Sequence, residues 1–444
     1  MPQSEMQEVK LRRALRLQDL ILYGIVIIQP TAPMPIFGVV SQEARGHVVS
    51  GVMLAMVAML FTAISYGRMA RAYPSAGSAY TYVSKGIHPG LGYLTGWSIT
   101  MDYLLNPIIC AIWCSKAAGN FFPFIPYPVF AAGFALVFTL LNLRGIETSA
   151  RFNRWMAAGM GVVIVVFFWY AIRYLTQQNL SAPDLLRPFY DPRTFAWPTF
   201  SRGAAIAVLT YIGFDSVSTL SEEAENPQRN IQLATVLVCV ITGVLACLEV
   251  YSGQLIWPDF SSYPDVDTAF VHVAGRAGGP FLFGLLNLTL LVATVGSGFG
   301  SQLAAARLLY SMGRDNAIPS KFFGVLHEQS RIPRNNVIFS GVLALVGAFV
   351  MSYQLGAELL NFGAFIAFMG VNASAFAHYS IRERRGWLYG LPSILGFVVC
   401  AYIWLNLSPA AKIAGGAWLL VGLAYGAWRK KLGRGPAVAS GQAS

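Results

Sequence analysis

Asp215 is an acidic side chain inside an apolar run of the sequence, directly after Gly213 and Phe214. An ionised acid at the hydrocarbon depth of a bilayer is costly, so it must face other protein or a water-filled cavity, and it marks a functional site by default. The same stretch soon becomes acidic and reaches a helix-breaking proline at position 227. We therefore predict that residues 211 to 215 are the unwound middle of a broken transmembrane helix, and that a substrate binds there.

A second role for Asp215 stays open at this point. If the second half of the broken helix starts directly after it, the carboxylate would cap that half by accepting backbone N–H bonds. Capping and cavity lining are compatible, because a carboxylate has two oxygens and several acceptor sites.

Two further acids lie in apolar runs. Asp102 follows Trp97 in the third run and is expected at membrane depth beside Tyr103, and Glu249 lies in the seventh run, about two turns from its end. Glu249 either snorkels towards the surface or contacts the substrate or a coupling proton. Together with Asp215 they make three candidate acids within the membrane.

The composition identifies the class of protein that must hold these acids. Hydrophobic residues make up 55% of the 444 residues and charged residues 11%, whereas charged residues make up roughly 25% of ordinary soluble domains. The chain is therefore predicted to be a polytopic membrane protein. Its formal net charge of +11 does not indicate nucleic-acid binding, because the basic residues punctuate the apolar runs as topogenic charges do.

The sequence carries no pattern of a metal site, a disulfide framework or an enzyme. All five cysteines lie in apolar segments without a CxxC pair, which favours buried thiols: Cys110, Cys114, Cys239, Cys247 and Cys400. P-loop, HExxH and GxSxG motifs are missing from the sequence. We expect no cofactor, no metal and no enzymatic activity.

Twelve apolar runs are long enough to span a bilayer, which takes about 20 residues. They lie at roughly residues 20–40, 47–66, 91–118, 127–143, 155–176, 199–221, 231–256, 280–309, 336–353, 358–378, 387–405 and 411–428. With a cytoplasmic N-terminus, 8 of the 31 Lys and Arg residues fall outside and 23 inside, as the positive-inside rule requires. The eight are Arg45, Lys116, Arg173, Arg187, Arg193, Arg202, Arg276 and Lys412.

The first span has an interruption that matches the one around Asp215. Pro30, Pro33 and Pro35 stand near its middle, and prolines remove backbone donors and obstruct a helix. Spans 1 and 6 would then each open a group of five helices. Interrupted segments in corresponding positions indicate an inverted-repeat transporter with a binding site at the membrane midplane. The alternative is a pair of kinks tolerated by neighbouring helices.

Two other segments are candidates for supporting roles. Arg68 and Arg71 could pair with Glu222 and Glu223 in an inner gate, or they are topogenic charges near the headgroups. The small residues at 294–301 have the wrong spacing for a nucleotide-binding loop, and a helix-packing face is expected there.

These motifs resemble the amino acid, polyamine and organocation transporter superfamily. The resemblance rests on residues 74–82, Gly213-Phe-Asp215 with Glu222-Glu223, residues 226–229 and residues 307–316, and it covers nearly the whole chain. It implies an all-α, LeuT-like fold of five plus five inverted helices followed by two more, and secondary transport by alternating access. Residues 65–67, 97–103, 220–223 and 361–364 look most like those of bacterial putrescine importers.

The implied fold divides the chain into six parts. They are a cytoplasmic segment (1–19), the first repeat of helices 1–5 (20–176), an extracytoplasmic loop (177–198), the second repeat of helices 6–10 (199–378), helices 11 and 12 (379–428) and a cytoplasmic tail (429–444). The corresponding location is the cell inner membrane, with multiple passes and both termini in the cytoplasm.

The chemistry of the first interruption bears on the substrate. Amino acid carriers of the superfamily usually receive the substrate carboxylate on free N–H groups there, next to a helix N-terminus, but Pro30 and Pro33 have no N–H to donate. A diamine fits better, because it needs an acceptor at each end. The predicted substrate-binding set is Gln29, Thr31, Ala32, Asp102, Tyr103, Tyr211, Ile212, Gly213, Phe214 and Asp215.

The sequence thus predicts a secondary transporter importing a small organic amine, with putrescine as the first candidate and protons as the coupling ion. Candidates for coupling or gating are Glu249, Glu222, Glu223, Arg68 and Arg71. The expected partners are the amine or an amino acid, protons and the lipid bilayer, and no nucleic acid. An amino acid permease is the alternative within the same class, and a non-transporting membrane sensor is the alternative from another class.

Overall fold

The structure is a computed structural model that describes residues 15–74, 78–144, 150–221, 224–314, 318–327 and 332–431. Over these ranges the chain is helical and contains no β-strand, apart from a single bridge that pairs Leu15 with Ala224.

Seventeen α-helices occur in the described ranges. They are α1 (Leu17–Ile28), α2 (Phe37–Glu43), α3 (Val48–Ala72), α4 (Ser78–Gly86), α5 (Pro89–Phe121), α6 (Tyr127–Leu143), α7 (Ala150–Leu175), α8 (Ala182–Leu186), α9 (Trp197–Ala207), α10 (Ser216–Thr219), α11 (Pro227–Ile256), α12 (Ala269–Arg314), α13 (Ser320–Phe323), α14 (Arg334–Val350), α15 (Tyr353–Phe376), α16 (Trp387–Leu405) and α17 (Pro409–Lys431). A 3-10 turn, Val208–Tyr211, continues α9, and a π-helical segment, Ala377–Arg382, continues α15.

Seven helical stretches of the described chain are long and apolar enough to cross a membrane. They are Val48–Ala72, Trp155–Leu175, Pro227–Ile256, Ala269–Arg314, Tyr353–Arg382, Trp387–Leu405 and Pro409–Arg429. Three shorter apolar helices accompany them, at Leu17–Ile28, Tyr127–Leu143 and Arg334–Val350. The chain is a multi-pass membrane protein, whereas the count of twelve spans remains a prediction.

Both predicted interruptions are present. The first separates α1 from α2 over residues 29–36, and Gln29 there has a positive φ of 68°. The second covers residues 212–215, between the 3-10 turn and α10, and Gly213 there has φ 113°. It is one residue shorter than predicted, because Tyr211 closes the 3-10 turn.

The second interruption lies against the end of α1, directly before the first interruption. A Cβ placed on Gly213 would stand 2.8 Å from Cγ2 of Ile27, at the end of α1. Position 213 therefore requires glycine for two reasons, its left-handed backbone and the approach of α1. The Gln29 side chain extends from the first interruption to α12, where its Nε2 donates to the Ala293 carbonyl over 3.1 Å.

The longer helices surround these interruptions. The helix α3 packs against α11 and α16, and α5 packs against α12 and α15. The range of α12 contains two helices that meet at a kink at Gly278 and Gly279, where the backbone is not helical. The second of them starts at Pro280, where the predicted span 280–309 starts, and it continues to Arg314. All five cysteines are free, four of them buried and Cys247 half-buried, as the sequence predicted for buried thiols.

Candidate functional site

A cavity of about 460 Å³ lies between α1, α5, α12, α15 and the two interruptions. Polar groups reach it from several elements, and small residues of α12 and α15 form one wall. Its lining consists of Tyr23, Val26, Ile27, Gln29, Tyr66, Ile99, Asp102, Tyr103, Asn106, Met156, Met160, Ile212, Gly213, Asp215, Ser216, Gly296, Ser297, Gly300, Ser301, Ala304, Ala364, Ala367 and Phe368.

Two carboxylates from distant parts of the sequence line this cavity. Asp102 comes from the middle of α5, and Asp215 comes from the second interruption. The lining contains no Lys, Arg or His, and neither carboxylate forms a salt bridge within the described part of the chain. When both are ionised, the cavity holds two negative charges that no cationic side chain of its lining balances.

Six of the ten predicted substrate-binding residues line the cavity. They are Gln29, Asp102, Tyr103, Ile212, Gly213 and Asp215. The two interruptions and the middle of α5 therefore meet at one place, which is the arrangement that their acids and turn-forming residues predict.

The other four residues of the predicted set do not line it. Thr31 is buried, and its hydroxyl donates to Sδ of Met160 over 3.5 Å. Ala32 is half-buried in the first interruption, away from the cavity lining. Tyr211 points to α3, because the 3-10 turn directs its hydroxyl to the Val52 carbonyl, 3.0 Å away.

Phe214 is the fourth of these residues, and it supports the cavity wall from behind. It is fully buried, with its ring centroid 5.5 Å from that of Tyr66 and 5.4 Å from that of Phe368. The aromatic surface that faces the cavity is therefore supplied by Tyr66 and Phe368, which sequence reasoning did not select.

The small-residue stretch of α12 has a role that the sequence analysis did not assign. Gly296, Ser297, Gly300, Ser301 and Ala304 line the cavity, beyond the Ala293 carbonyl that accepts from Gln29. A Cβ on Gly300 would meet no heavy atom within 4 Å, which shows the open space on this side. Their spacing of three to four residues was a detectable signal, since it places them on one helical face.

The position of Asp215 bears on its predicted role as the cap of the second half of the broken helix. The helix α10 starts at Ser216, directly after Asp215, and Asp215 forms no standard side-chain cap hydrogen bond. The backbone N–H groups of Gly213, Asp215 and Ser216 nevertheless lie close enough to donate to its carboxylate. Asp215 is half-buried beside the cavity.

Glu249 lies outside the cavity lining, on α11. It is fully buried, and neither of its carboxylate oxygens has a hydrogen-bond partner among the described residues. One turn further along α11, a Cβ on Gly253 would meet Phe270 and Phe37 at 3.0 and 3.1 Å. Phe37 opens α2, so the turn of α11 that follows this acid contacts the second half of the first broken helix.

Of the predicted inner gate, the structure describes the two arginines and not the two acids. Glu222 and Glu223 lie outside the described residues. Arg68 contacts α16: its Nη1 donates to the Tyr389 carbonyl over 2.6 Å, and its guanidinium stands 3.9 Å from the Tyr389 ring centroid. Arg71 lies one turn further along α3 and is exposed.

The first interruption has few free backbone donors. Pro30, Pro33 and Pro35 carry no N–H. The N–H groups of Gln29, Ala32 and Met34 donate to the carbonyls of residues 25, 29 and 31, at distances of 3.0 Å each. Six of the seven positions from 29 to 35 therefore have no N–H to offer a substrate carboxylate.

Comparison with known proteins identifies the class. The family model described as amino acid permease matches residues 34–428. The chain therefore belongs to the amino acid permease family, within the amino acid, polyamine and organocation superfamily, whose members are membrane transporters.

Three relatives illustrate the range of substrates in the names of similar proteins. The chain is 34% identical to the low-affinity putrescine importer PlaP of Escherichia coli (strain K12), covering 96% of each chain. It is 27% identical to the branched-chain amino acid permease BcaP of Lactococcus lactis subsp. cremoris, over 94% of this chain and 96% of the relative. It is 24% identical to a methylthioribose transporter of Bacillus subtilis, over 95% and 94% of the two chains.

Proposed function

We propose that this protein is a secondary active transporter that imports a small organic diamine, with putrescine as the substrate that best fits the site. The observation that carries the proposal is the pair of carboxylates, Asp102 and Asp215, in one cavity without a cationic side chain in its lining. A buried ammonium must be paired, and a diamine supplies one ammonium for each acid.

The remainder of the lining suits the body of such a substrate. Gln29, Asn106 and Tyr103 add oxygen atoms that can accept from the spare ammonium hydrogens. Tyr66 and Phe368 present aromatic surface, which covers a methylene stem or meets an ammonium face-on.

A carboxylate-bearing substrate suits the site less well. Six of the eight backbone positions in the first interruption lack an available N–H, and the cavity lining holds no basic side chain. An α-amino acid would place its carboxylate beside the two acids without a donor to balance it.

Protons are the proposed coupling ion. Asp102 and Glu249 are the candidate carriers, because a carboxyl group that is exposed to opposite sides in turn can take up and release a proton. Glu249 lies outside the cavity, one turn from the contact of Gly253 with Phe37 of α2, so we infer that it responds to movement of the broken helix without contacting substrate.

The proposed architecture is an inverted repeat in the inner membrane. Residues 20–176 and 199–378 would be the two repeats, each opening with one of the interrupted helices. Both termini would be cytoplasmic, supported by the distribution of Lys and Arg.

An amino acid permease is the second candidate function. Its support is the 27% identity to the branched-chain amino acid permease BcaP over 94% of the chain. The two candidates differ in whether the substrate must carry a carboxylate.

The test is the uptake of radiolabelled putrescine into proteoliposomes of the purified protein, with and without an inward proton gradient. We expect gradient-stimulated uptake that Asp215→Asn abolishes, and that the loop variant Asp259→Asn retains. Unlabelled diamines should compete better than lysine, ornithine or neutral amino acids. Robust uptake of an amino acid in the absence of putrescine uptake would contradict the proposal and favour the permease.

A further inference from the structure

A second cavity, of about 810 Å³, opens between α3, α11 and α16 at the membrane end that carries the Leu15–Ala224 bridge. We call it the basic cavity, because three arginines line it. Its lining is Ile64, Arg68, Arg71, Gln228, Arg229, Gln232, Leu233, Val236 and Pro392. In the proposed orientation this end is cytoplasmic.

The charge of the basic cavity is unbalanced in the described part of the chain. Arg68, Arg71 and Arg229 form no salt bridge to any described carboxylate. Arg68 is held in place by the carbonyl and ring of Tyr389, and its Nε has no hydrogen-bond partner among the described residues. Three guanidinium groups around one opening favour a phosphate, which they can contact with several donors at once.

The start of α11 adds to the positive potential. Gln228 and Arg229 belong to its first turn, and Asn226 makes no side-chain capping bond there. Pro227 has no N–H, and the N–H groups of Arg229 and Asn230 donate to the Asn226 carbonyl over 3.0 Å each. The N-terminus of this 30-residue helix therefore contributes the positive end of its dipole to the opening. The helix dipole adds to the charge of the three arginines at the same opening.

The cavity continues into an apolar surface that points to the source of the phosphate. On α11 the exposed side chains Leu233, Leu237 and Val240 follow one another along one face, starting inside the cavity. On α3, Ile64 lines the cavity and the exposed Val57 and Met53 extend the surface away from it. A polar head at the opening and acyl chains along this surface would match a phospholipid, whereas a soluble phosphate has no use for the apolar part.

The close contact of α3 and α11 makes the cavity a fixed feature. A Cβ on Gly67 would stand 2.6 Å from Cα of Gln232, so the two backbones touch directly above the opening. The arginines of both helices are thus held at a constant separation.

We propose that the basic cavity binds the phosphate headgroup of an anionic phospholipid from the cytoplasmic leaflet. Basic clusters between transmembrane helices on this side of a membrane are suited to such headgroups. This inference does not depend on which substrate the protein transports.

The experiment counts lipids bound to the purified full-length protein in detergent by native mass spectrometry. Dioleoyl phosphatidylglycerol is titrated against dioleoyl phosphatidylcholine, which has the same chains and no net charge. The variant is Arg71→Gln/Arg229→Gln, whose two side chains are exposed, and the control of equal charge change is Lys321→Gln/Arg334→Gln, outside the cavity. We expect tight binding of phosphatidylglycerol by the native protein and the control, and about tenfold weaker binding by the cavity variant.

Four results would overturn the proposal. One is equal binding of the two lipids, and another is unchanged phosphatidylglycerol binding in the cavity variant. The third is displacement of the lipid by millimolar inorganic phosphate or glycerol 3-phosphate, which would assign the site to a soluble anion. A fourth arm uses the variant Glu222→Gln/Glu223→Gln. If the lipid binds to this variant but not to the native protein, the two acids already neutralise the arginines, and the proposal is overturned. Binding to the variant at the native level supports the proposal.

Discussion

Asp102 and Asp215 meet at one cavity although 113 positions separate them in the sequence. Burying an ionised carboxylate costs several kcal/mol unless a partner compensates it. The cavity lining offers hydroxyl and amide groups but no cation. In the proposed function, the diamine substrate supplies the missing positive charges.

Glu249 differs from these two acids because it lines no such cavity and has no hydrogen-bond partner among the residues that the structure describes. We predict that Glu249→Gln folds, with an unfolding temperature no lower than that of the native protein, because the substitution removes an unpaired buried acid. The variant should still bind putrescine, but lose most of the stimulation of uptake by an inward proton gradient. The measurement is uptake with and without the gradient, alongside equilibrium binding.

The matched control for Glu249→Gln is Glu225→Gln, since Glu225 is an exposed acid just before α11, the helix that carries Glu249. This control should keep the full gradient effect. Equal stimulation in Glu249→Gln and the native protein would show that the proton is carried elsewhere, with Asp102 as the remaining candidate.

The conformation of the interrupted helices depends on a few backbone positions, of which Gly213 is one. We predict that Gly213→Ala lowers the unfolding temperature and greatly reduces putrescine uptake. The substitution forces a side chain into a left-handed backbone at φ 113° and within 2.8 Å of Ile27, which costs roughly 1–3 kcal/mol. Thermal unfolding and uptake are measured on the same preparations.

Gly133→Ala is the matched control for this change. Gly133 lies in α6, where an added Cβ would meet no atom within 4 Å, and alanine is the better helix former by up to about 1 kcal/mol. This variant should be as stable as the native protein or more so, and transport normally. A normal Gly213→Ala protein would contradict the tight contact between the second interruption and the end of α1.

The existence of the interruptions was predictable from sequence, and the orientation of their side chains was not. Three prolines in the first span and Gly213 beside Asp215 in the sixth have no good place inside a regular helix. Tyr211, however, closes a 3-10 turn, in which successive residues turn by about 120° and not the 100° of an α-helix. This difference directs Tyr211 to α3, so a pattern based on α-helical spacing selects the wrong aromatic residue.

The small residues of α12 show a second limit of sequence reasoning. Gly296 and Gly300 are typical of close helix packing, and the sequence alone cannot show whether a neighbour fills the space beside them. Here the broken helices leave that space open around Gly300. Tyr66 and Phe368 were missed for a related reason, because they line the cavity only through packing of α3 and α15 around Phe214.

At the scale of the whole molecule, the sequence predicts the fold class but not the number of spans. The apolar runs predict a helical multi-pass protein, and the described chain has seven helices that meet the length and apolarity of a span. Two of the predicted spans are broken into pairs of helices, α1 with α2 and α9 with α10. Each helix of a pair is too short to cross a membrane alone, since a span needs about 20 residues. Each pair must cross together for the count of twelve to hold.

The proposed orientation makes a prediction for the whole molecule. Loop 257–268 should lie outside the cell and the segment around α13 inside. We expect a membrane-impermeant thiol reagent to label Ser261→Cys in intact cells, and to label Lys321→Cys only after the membrane is opened, since both positions are exposed on the protein. The unsubstituted protein is the background control, because its cysteines are buried or half-buried. The reverse labelling pattern would invert the topology.

The pairing of one ammonium with each acid is tested most directly by comparing putrescine with 1-aminobutane, which keeps the four-carbon chain and lacks one amine. Equilibrium binding of both ligands is measured on the purified native protein, on Asp102→Asn and on Asp215→Asn, with Asp259→Asn as the control. We predict that the native protein and the control prefer putrescine by about 30-fold or more, since removing one partner of a buried charge pair costs at least about 2 kcal/mol. In each cavity variant the preference should fall to a few-fold. Equal binding of the two ligands by the native protein, or an undiminished preference in both cavity variants, would contradict the account.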